Sequence, residues 1–451
     1  MAFGILSSTS VSSYRSMNSR RKIFYQFPTG AAPLMGLLSM LPSEDTDKPE
    51  FGWWERRFPV LRDALASSGI VFQNGDGSAL VDGGTGVTLT ADTTYRAILG
   101  SSDQFKATHV AEFRTIANQT TTVTIRGTVT AIINSTTIQF RPYTTQTGVK
   151  NQTGNQASKV VAIIGTANPE GAKSGAGIIQ FPINPTNFTQ IFRTAFNLTR
   201  TSLKGGLLYD KSGPYKNMAW ENGLRHMVEM EKAFIFGEKH TVGVTDAETG
   251  DVTPETTTGG CIWYLGKWEE VNSIYRGGTG APAITLNTDD NKRIIDLTST
   301  GALSADFYRT LISRLFRKTN DKAYEKLCLC GGTFLEVVNK LFEREITRTV
   351  ALQEKTRNWE FIVHSHTTLR GTVHYKVHPL FDEDPGLQGN ALFLDLGNLR
   401  YRPLSDSDTV FLKGRQANDR DSRKDEWISE CGLELRFPES CMYIQGVTAA
   451  A

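Results

Sequence analysis

Residues 210–240, DKSGPYKNMAWENGLRHMVEMEKAFIFGEKH, constrain the fold more than any other stretch of the chain. Trp220, Leu224, Met227, Val228, Phe234 and Ile235 recur at three- and four-residue steps, the spacing of one apolar stripe on a helix. Glu221, Arg225, Glu229 and Lys232 fill much of the remaining circumference. Ser212 is the expected cap, Pro214 sits where a missing N–H costs little, and Gly237 is the expected stop. From Tyr215 to Phe236 the rod is ~33 Å long at about 1.5 Å per residue, enough to span a domain. Gly223 lies mid-rod, where glycine costs about 1 kcal/mol relative to alanine. A bend or a close neighbour is expected there.

A chain of 451 residues is long enough for two or three domains, and its hydrophobic fraction of 39% is that of globular proteins. Lys and Arg total 49 against 47 Asp and Glu, a net charge of +2. Tight, general nucleic-acid binding needs a large basic excess, so that class is disfavoured. The cysteines, 261, 328, 330, 431 and 441, are odd in number and show no CxxC spacing. They read as buried thiols in a reducing compartment, with Cys328 and Cys330 on one face of a strand. The N-terminal residues lack a secretory pattern, and the apolar run Ala31–Leu41 is too short to cross a bilayer. A soluble protein made in a cytoplasm, with no membrane partner, is expected.

Taken in order, residues 1–49 read as an arm, polar at first and then carrying Leu34, Leu37 and Leu38 between prolines. Phe51, Trp53 and Trp54 follow before Arg56 and Arg57. Apolar anchors on a weakly foldable segment point to docking on a neighbouring subunit; packing on the chain's own domain is the alternative. From Ile70 to about Gly165 alternating Val, Ile and Thr predict a small all-β module, barrel-like, with a hairpin turning at Asn134-Ser135. Two further helices are expected. One runs from Ser304 to about Lys318, with Phe307, Leu311, Ile312 and Leu315 inward. The other runs from Thr333 to about Ile346, opened by a Thr333/Glu336 capping box, with Leu335, Val338, Leu341, Phe342 and Ile346 inward. KLCLC between them is a buried strand, and strands prevail from Trp359 to the end.

Chemistry is harder to find. His364, His366, His374 and His378 cluster in sequence, and an HxH on a strand can bind metal. Thr367 to Gly371 supply no carboxylate, however, and no rigid path joins the two pairs. The glycine-rich DGGTGVT and GAKSGAG do not match a phosphate loop, and no nucleophile elbow or zinc-protease motif occurs. No catalytic, cofactor-binding or metal-binding residue is expected. A metal-dependent enzyme built on the four histidines stands as the alternative, with a minor virion structural protein as another.

The order of parts (arm, β excursion, long helix, mixed α/β region, closing strands) resembles the major capsid proteins of tailed bacteriophages, the HK97-like fold. More narrowly, the arm is similar to the SU10-type family, with Pro33, Leu34, Glu50, Phe51, Trp53 and Glu55 filling that family's pattern. MEKAFIFGEK is similar to the end of its spine helix through Glu231, Phe234, Ile235 and Gly237. TTTGGCIWYL resembles its Gly-Gly segment, and Glu430, Leu433 and Glu434 its closing strand pair.

The resemblance implies an α+β chain with an N-arm (1–49), an extended loop carrying a β insertion (50–205), a peripheral domain (206–240 and 401–451) and an axial domain (241–400). It implies an icosahedral head shell of pentamers and hexamers around double-stranded DNA, in the virion, assembled in a bacterial cytoplasm. Scaffolding, portal and decoration proteins are the implied partners, with weak DNA contact and no cofactor. No long charged helical segment precedes the arm, which implies a separate scaffolding protein.

Overall fold

The computed structural model describes residues 32–56, 61–66, 70–151, 156, 159–172, 182–204, 213–245, 250–269, 292–317, 324–345, 364–368, 370–405 and 407–450. The long helix runs Pro214–Phe236 and lies on a four-stranded antiparallel sheet. That sheet is centred on Ser422–Leu435, which pairs with Gln190–Thr199 over ten residues, with Leu399–Pro403 and with Val410–Leu412. Gln190–Thr199 is thus joined by hydrogen bonds to the closing part of the chain rather than to the β module that precedes it.

The helix differs from its sequence expectation at both ends and along its face. Ser212 lies outside the described residues, and the residue before the helix is Gly213 at φ 89°, with no side-chain cap. Gly237 ends it at φ −58°, so the stop is not a left-handed glycine. Glycine is required there for space. A Cβ would sit 2.3 Å from the Ala233 carbonyl oxygen and 2.6 Å from that of Thr258.

The buried residues are Asn222, His226, Met230, Glu231, Phe234 and Ile235, whereas Trp220 is 47% and Met227 43% exposed. The apolar stripe of the first half therefore faces outward, with Leu224 and Val228 half-buried. The strands below present Thr194 and Ser429, so a polar helix face, carrying His226, is the one that fits. Only in the second half does the stripe enter the core.

Gly223 does have a close neighbour, the indole of Trp427, whose Nε1–H donates to the Ala219 carbonyl at 3.1 Å. An added methyl would meet that ring at 3.5 Å, an ordinary contact, so no bend or tight approach demands glycine here. Gly223→Ala is expected to raise subunit stability by about 0.5–1 kcal/mol, read as a higher Tm with unchanged helicity.

The β module forms as expected and closes on itself. Seven antiparallel strands run in the order Arg62–Ala64, Val160–Thr166, His109–Ala117, Thr122–Ile132, Thr137–Pro142, Tyr95–Ile98 and Phe72–Asn74. The Ala66 N–H donates to the Ile98 carbonyl at 3.0 Å and the Gly100 N–H to that of Ala64 at 2.9 Å, joining Tyr95–Ile98 back to the first strand. Closure leaves fewer free edges, which suits a module with a hydrophobic core of its own. The hairpin turns at Asn134-Ser135. Phe72, Phe113 and Phe140 fill the interior, with the last two ring centroids 4.6 Å apart.

A six-stranded mixed sheet forms the third body, ordered Ile294–Asp296, Met442–Gln445, Ala391–Leu394, Glu325–Cys330, Gly371–Val377 and His364–Thr368. Its central strand is buried on both faces. Leu327 and Leu329 join the core under the long helix, while Cys328 and Cys330 face the helices Ala305–Arg317 and Gly332–Glu345. One sheet thus walls two cores. Met442–Gln445, near the end of the chain, belongs to this sheet, not to the one under the long helix.

The first of the two helices is capped as expected, the Phe307 N–H donating to Ser304 Oγ at 3.3 Å. The second is not. Thr333 lies inside it, and Asp382 Oδ1 accepts the Gly332 N–H at 3.0 Å in place of a capping box. Its inward residues are Phe334, Val337, Val338 and Leu341, with Leu335 half-buried. Ile346 and the side chain of Phe342 lie outside the described residues.

Candidate assembly site: the arm, the long helix and the histidines

Pro33–Met40 is a helix of only 8 residues, too short to stand alone in water. It forms because other parts of the chain complete it. Leu34, Leu37 and Leu38 are 0%, 3% and 1% exposed, packed in one core with Met230, Phe234 and Tyr401. Ala32 offers no side-chain cap, and Glu231 of the long helix takes that role. The Leu34 N–H donates to Glu231 Oε1 at 3.0 Å and the Met35 N–H to Oε2 at 3.3 Å. A carboxylate at a helix N-terminus is held by unpaired amides and by the helix dipole together.

The same carboxylate binds His378, also fully buried, through His378 Nε2. Nδ1 of that ring accepts the Leu380 N–H at 3.1 Å, so Nε2 carries the proton it gives to Glu231. Arm helix, long helix and the start of helix Pro379–Asp382 meet at one carboxylate.

The strand that follows explains the spacing of its aromatics. Along Phe51-Gly52-Trp53-Trp54-Glu55 alternate residues point inward. Phe51 and Trp53 are 5% and 6% exposed, and Trp53 Nε1–H donates to buried Glu55 at 2.7 Å. Trp54 points outward and is 71% exposed. The intersubunit assignment is therefore corrected for Leu34, Leu37, Leu38, Phe51 and Trp53, which are spent on the chain's own core. Among these anchors Trp54 alone is exposed. Residues 1–31 lie outside the described residues.

Sequence reasoning missed two buried polar networks. Asn187 donates to Thr258 Oγ1, Gly259 O and Leu433 O at 3.0, 3.1 and 2.7 Å, pinning the Gly-Gly segment to the closing strand. His226, 1% exposed, bonds Thr194 Oγ1 through Nδ1 at 2.9 Å and Ser429 Oγ through Nε2 at 2.8 Å. Both sit in polar-looking stretches with no periodic signal to mark them as interior.

Burial holds the His226 pKa below its ordinary 6.5, with Glu229 pulling weakly the other way. A depressed folded-state pKa means the unfolded chain takes up the proton first. Stability is then full above about pH 6.5 and falls by up to ~1.4 kcal/mol per unit below it, until the folded imidazole itself titrates. Urea midpoints taken near pH 7.5 and near pH 5.5 should drop more for the wild type than for His226→Asn. Equal drops would mean that other groups carry the acid sensitivity.

The four clustered histidines do not converge. His366 pairs with Val373 and Ser365 with His374, so His366 and His374 lie on opposite faces of the sheet. His364 lies on the same strand as His366, and nothing is described of its side chain. His378 is committed to Glu231. Among the described residues no group of three or more His, Cys, Asp or Glu is placed to hold a metal ion.

The family model described as SU10 major capsid protein matches residues 8–448. The chain belongs to the SU10 major capsid protein family; it is a shell-forming component of the virion. The curated proteins contain no match.

Similar solved structures include the cyanophage A-1(L) capsid asymmetric unit, 12% identical, covering 63% of this chain and 85% of that one at a TM-score of 0.40. Mycobacterium phage Adephagia is 10% identical over 99% of this chain and 94% of that one, at a TM-score of 0.36. Mycobacterium phage Patience is 9% identical over 62% and 76%, at 0.38.

Proposed function

We propose that the chain builds the icosahedral head shell of a tailed bacteriophage around double-stranded DNA. Copies associate as pentamers and hexamers, and separate scaffolding and portal proteins, with decoration proteins, complete the head. The observation that carries this reading is the family match over residues 8–448. The residue ranges take the roles the resemblance implies: N-arm 1–49, extended loop 50–205, peripheral domain 206–240 and 401–451, axial domain 241–400. The net charge of +2 supports weak lumen contact with DNA, since a strongly basic wall would resist packaging and release. The role is structural, with energy from repeated interfaces and no reaction required.

Trp54 is the aromatic the extended loop offers to a neighbour. Electron microscopy and sedimentation of the full chain expressed with its head proteins test the reading: closed shells are expected, and a small discrete oligomer would sink it. Trp54→Ser should lower shell yield severalfold, the scale of losing an aromatic hot spot of about 2 kcal/mol, while leaving the Tm of the subunit unchanged.

A further inference from the structure

The hairpin His240–Thr245/Val252–Thr257 is a two-stranded ribbon, paired with no third strand among the described residues. Every residue of its first strand is exposed, and so are the first four of its second. Such a ribbon is marginal in water without something to pack on. Direct pairing sets Val242 against Glu255 and Val244 against Thr253, so one face combines two valines, 46% and 42% exposed, with a carboxylate. The described residues of the ribbon, 240–245 and 250–257, hold the acids Asp251 and Glu255 and no Lys or Arg, a formal charge of −2.

The opposite charge gathers at the other end of the same body. Segment 413–424 holds five basic residues against Asp419 and Asp421; Arg415 and Arg423 are already paired with Glu426 and Asp425 at 3.0 Å each, and the pairing of Asn197 with Lys424 brings the remaining cations beside Arg200 and Lys204. Lys413, Arg420, Lys424, Arg200 and Lys204 are all exposed. This end lies at the start of the long helix, where Arg423 Nη2–H donates to the Tyr215 hydroxyl at 2.9 Å. The ribbon is rooted at the helix's far end, where Thr256 Oγ1–H donates to the Thr189 carbonyl at 2.7 Å. The 23-residue helix separates them by about 34 Å. A six-residue strand spans only about 20 Å. The ribbon cannot reach the basic end of its own chain.

We propose that the acidic ribbon of one copy docks on the basic end of the long-helix sheet in the next copy. The contact is head-to-tail, and heterologous contacts of this kind close into rings when the rotation between copies allows. Charge fixes register and speeds encounter, and the valines supply the apolar part. The inference rests on the shell-forming reading and names the partner surface within it.

The test is a charge swap in the full chain, expressed under conditions in which the wild type forms shells. Asp251→Lys with Glu255→Lys is expected to lower shell yield about tenfold at about 0.1 M ionic strength, with the subunit's Tm unchanged. Lys413→Glu with Lys424→Glu is expected to do the same. All four together should restore yield to within about twofold of wild type, which a merely destabilised fold would not do. Unchanged yield on either reversal, or no rescue by the combination, overturns the proposal. If reversing the basic end lowers only the retention of packaged DNA, that end is a nucleic-acid contact and the proposal also fails.

Failure of the shell reading looks different, because the wild type itself then gives no particles. In that event Glu255→Cys in one copy and Lys424→Cys in a second, size-tagged copy decide the pairing. A disulfide-linked heterodimer supports the docking, and its absence overturns it.

Discussion

Glu231→Ala is expected to cost the subunit about 3–5 kcal/mol, the range for breaking a buried, hydrogen-bonded charged site by removing one member. The carboxylate is fully buried and takes hydrogen bonds from the Leu34 and Met35 amides and from His378. Alanine leaves all three donors without an acceptor, and each such group costs about 1–3 kcal/mol when water cannot replace the bond. The change also removes the negative charge from the start of the arm helix, a further few tenths to 1 kcal/mol.

Glu231→Gln keeps the shape and one acceptor oxygen, so its loss should be roughly half as large. His378→Ala should also cost less, about 1–3 kcal/mol, because the arm amides keep their acceptor. Urea unfolding followed by tryptophan fluorescence reads the order directly. A Glu231→Ala subunit within about 1 kcal/mol of wild type would mean that the junction is not what holds the arm helix.

How much of this could be read from the chain varies with the kind of signal. The β module was legible because alternation of Val, Ile and Thr marks strands; the hydrogen bonds that close it are visible only in the fold. The long helix was legible in extent but not in orientation. Trp220 and Met227 belong to a well-formed apolar stripe, yet the sheet beneath offers hydroxyls, so the helix turns its His226 face inward and leaves the stripe outside. Period alone cannot say which of two faces a neighbour will accept.

Alternation through Phe51, Trp53 and Glu55 separates the inward set from Trp54. His378 looked like part of a metal cluster because sequence shows proximity along the chain, not the Glu231 carboxylate that claims it. The acid at 231 was marked by the family pattern; that it caps the arm helix required the fold.

Removing residues 1–41 is expected to unfold or aggregate the subunit. The polar first part of the arm made the whole segment look like a strap. Pro33–Met40 within it is instead a core helix. Leu34, Leu37 and Leu38 are each almost fully buried against the long helix and the closing strands. Losing one buried leucine to alanine costs about 2–5 kcal/mol, and losing three with their backbone approaches the whole stability of a domain, about 5–15 kcal/mol. The deletion also strips two amide donors from Glu231 and leaves a buried carboxylate with His378 alone. Leu34→Ala isolates the packing part without moving the chain end, and its expected loss is about 2–5 kcal/mol by urea unfolding. Circular dichroism and gel filtration of the deletion separate the outcomes. A soluble subunit with an unchanged spectrum and Tm would show that the helix is a removable strap after all, whereas aggregation together with a destabilised Leu34→Ala places it in the core.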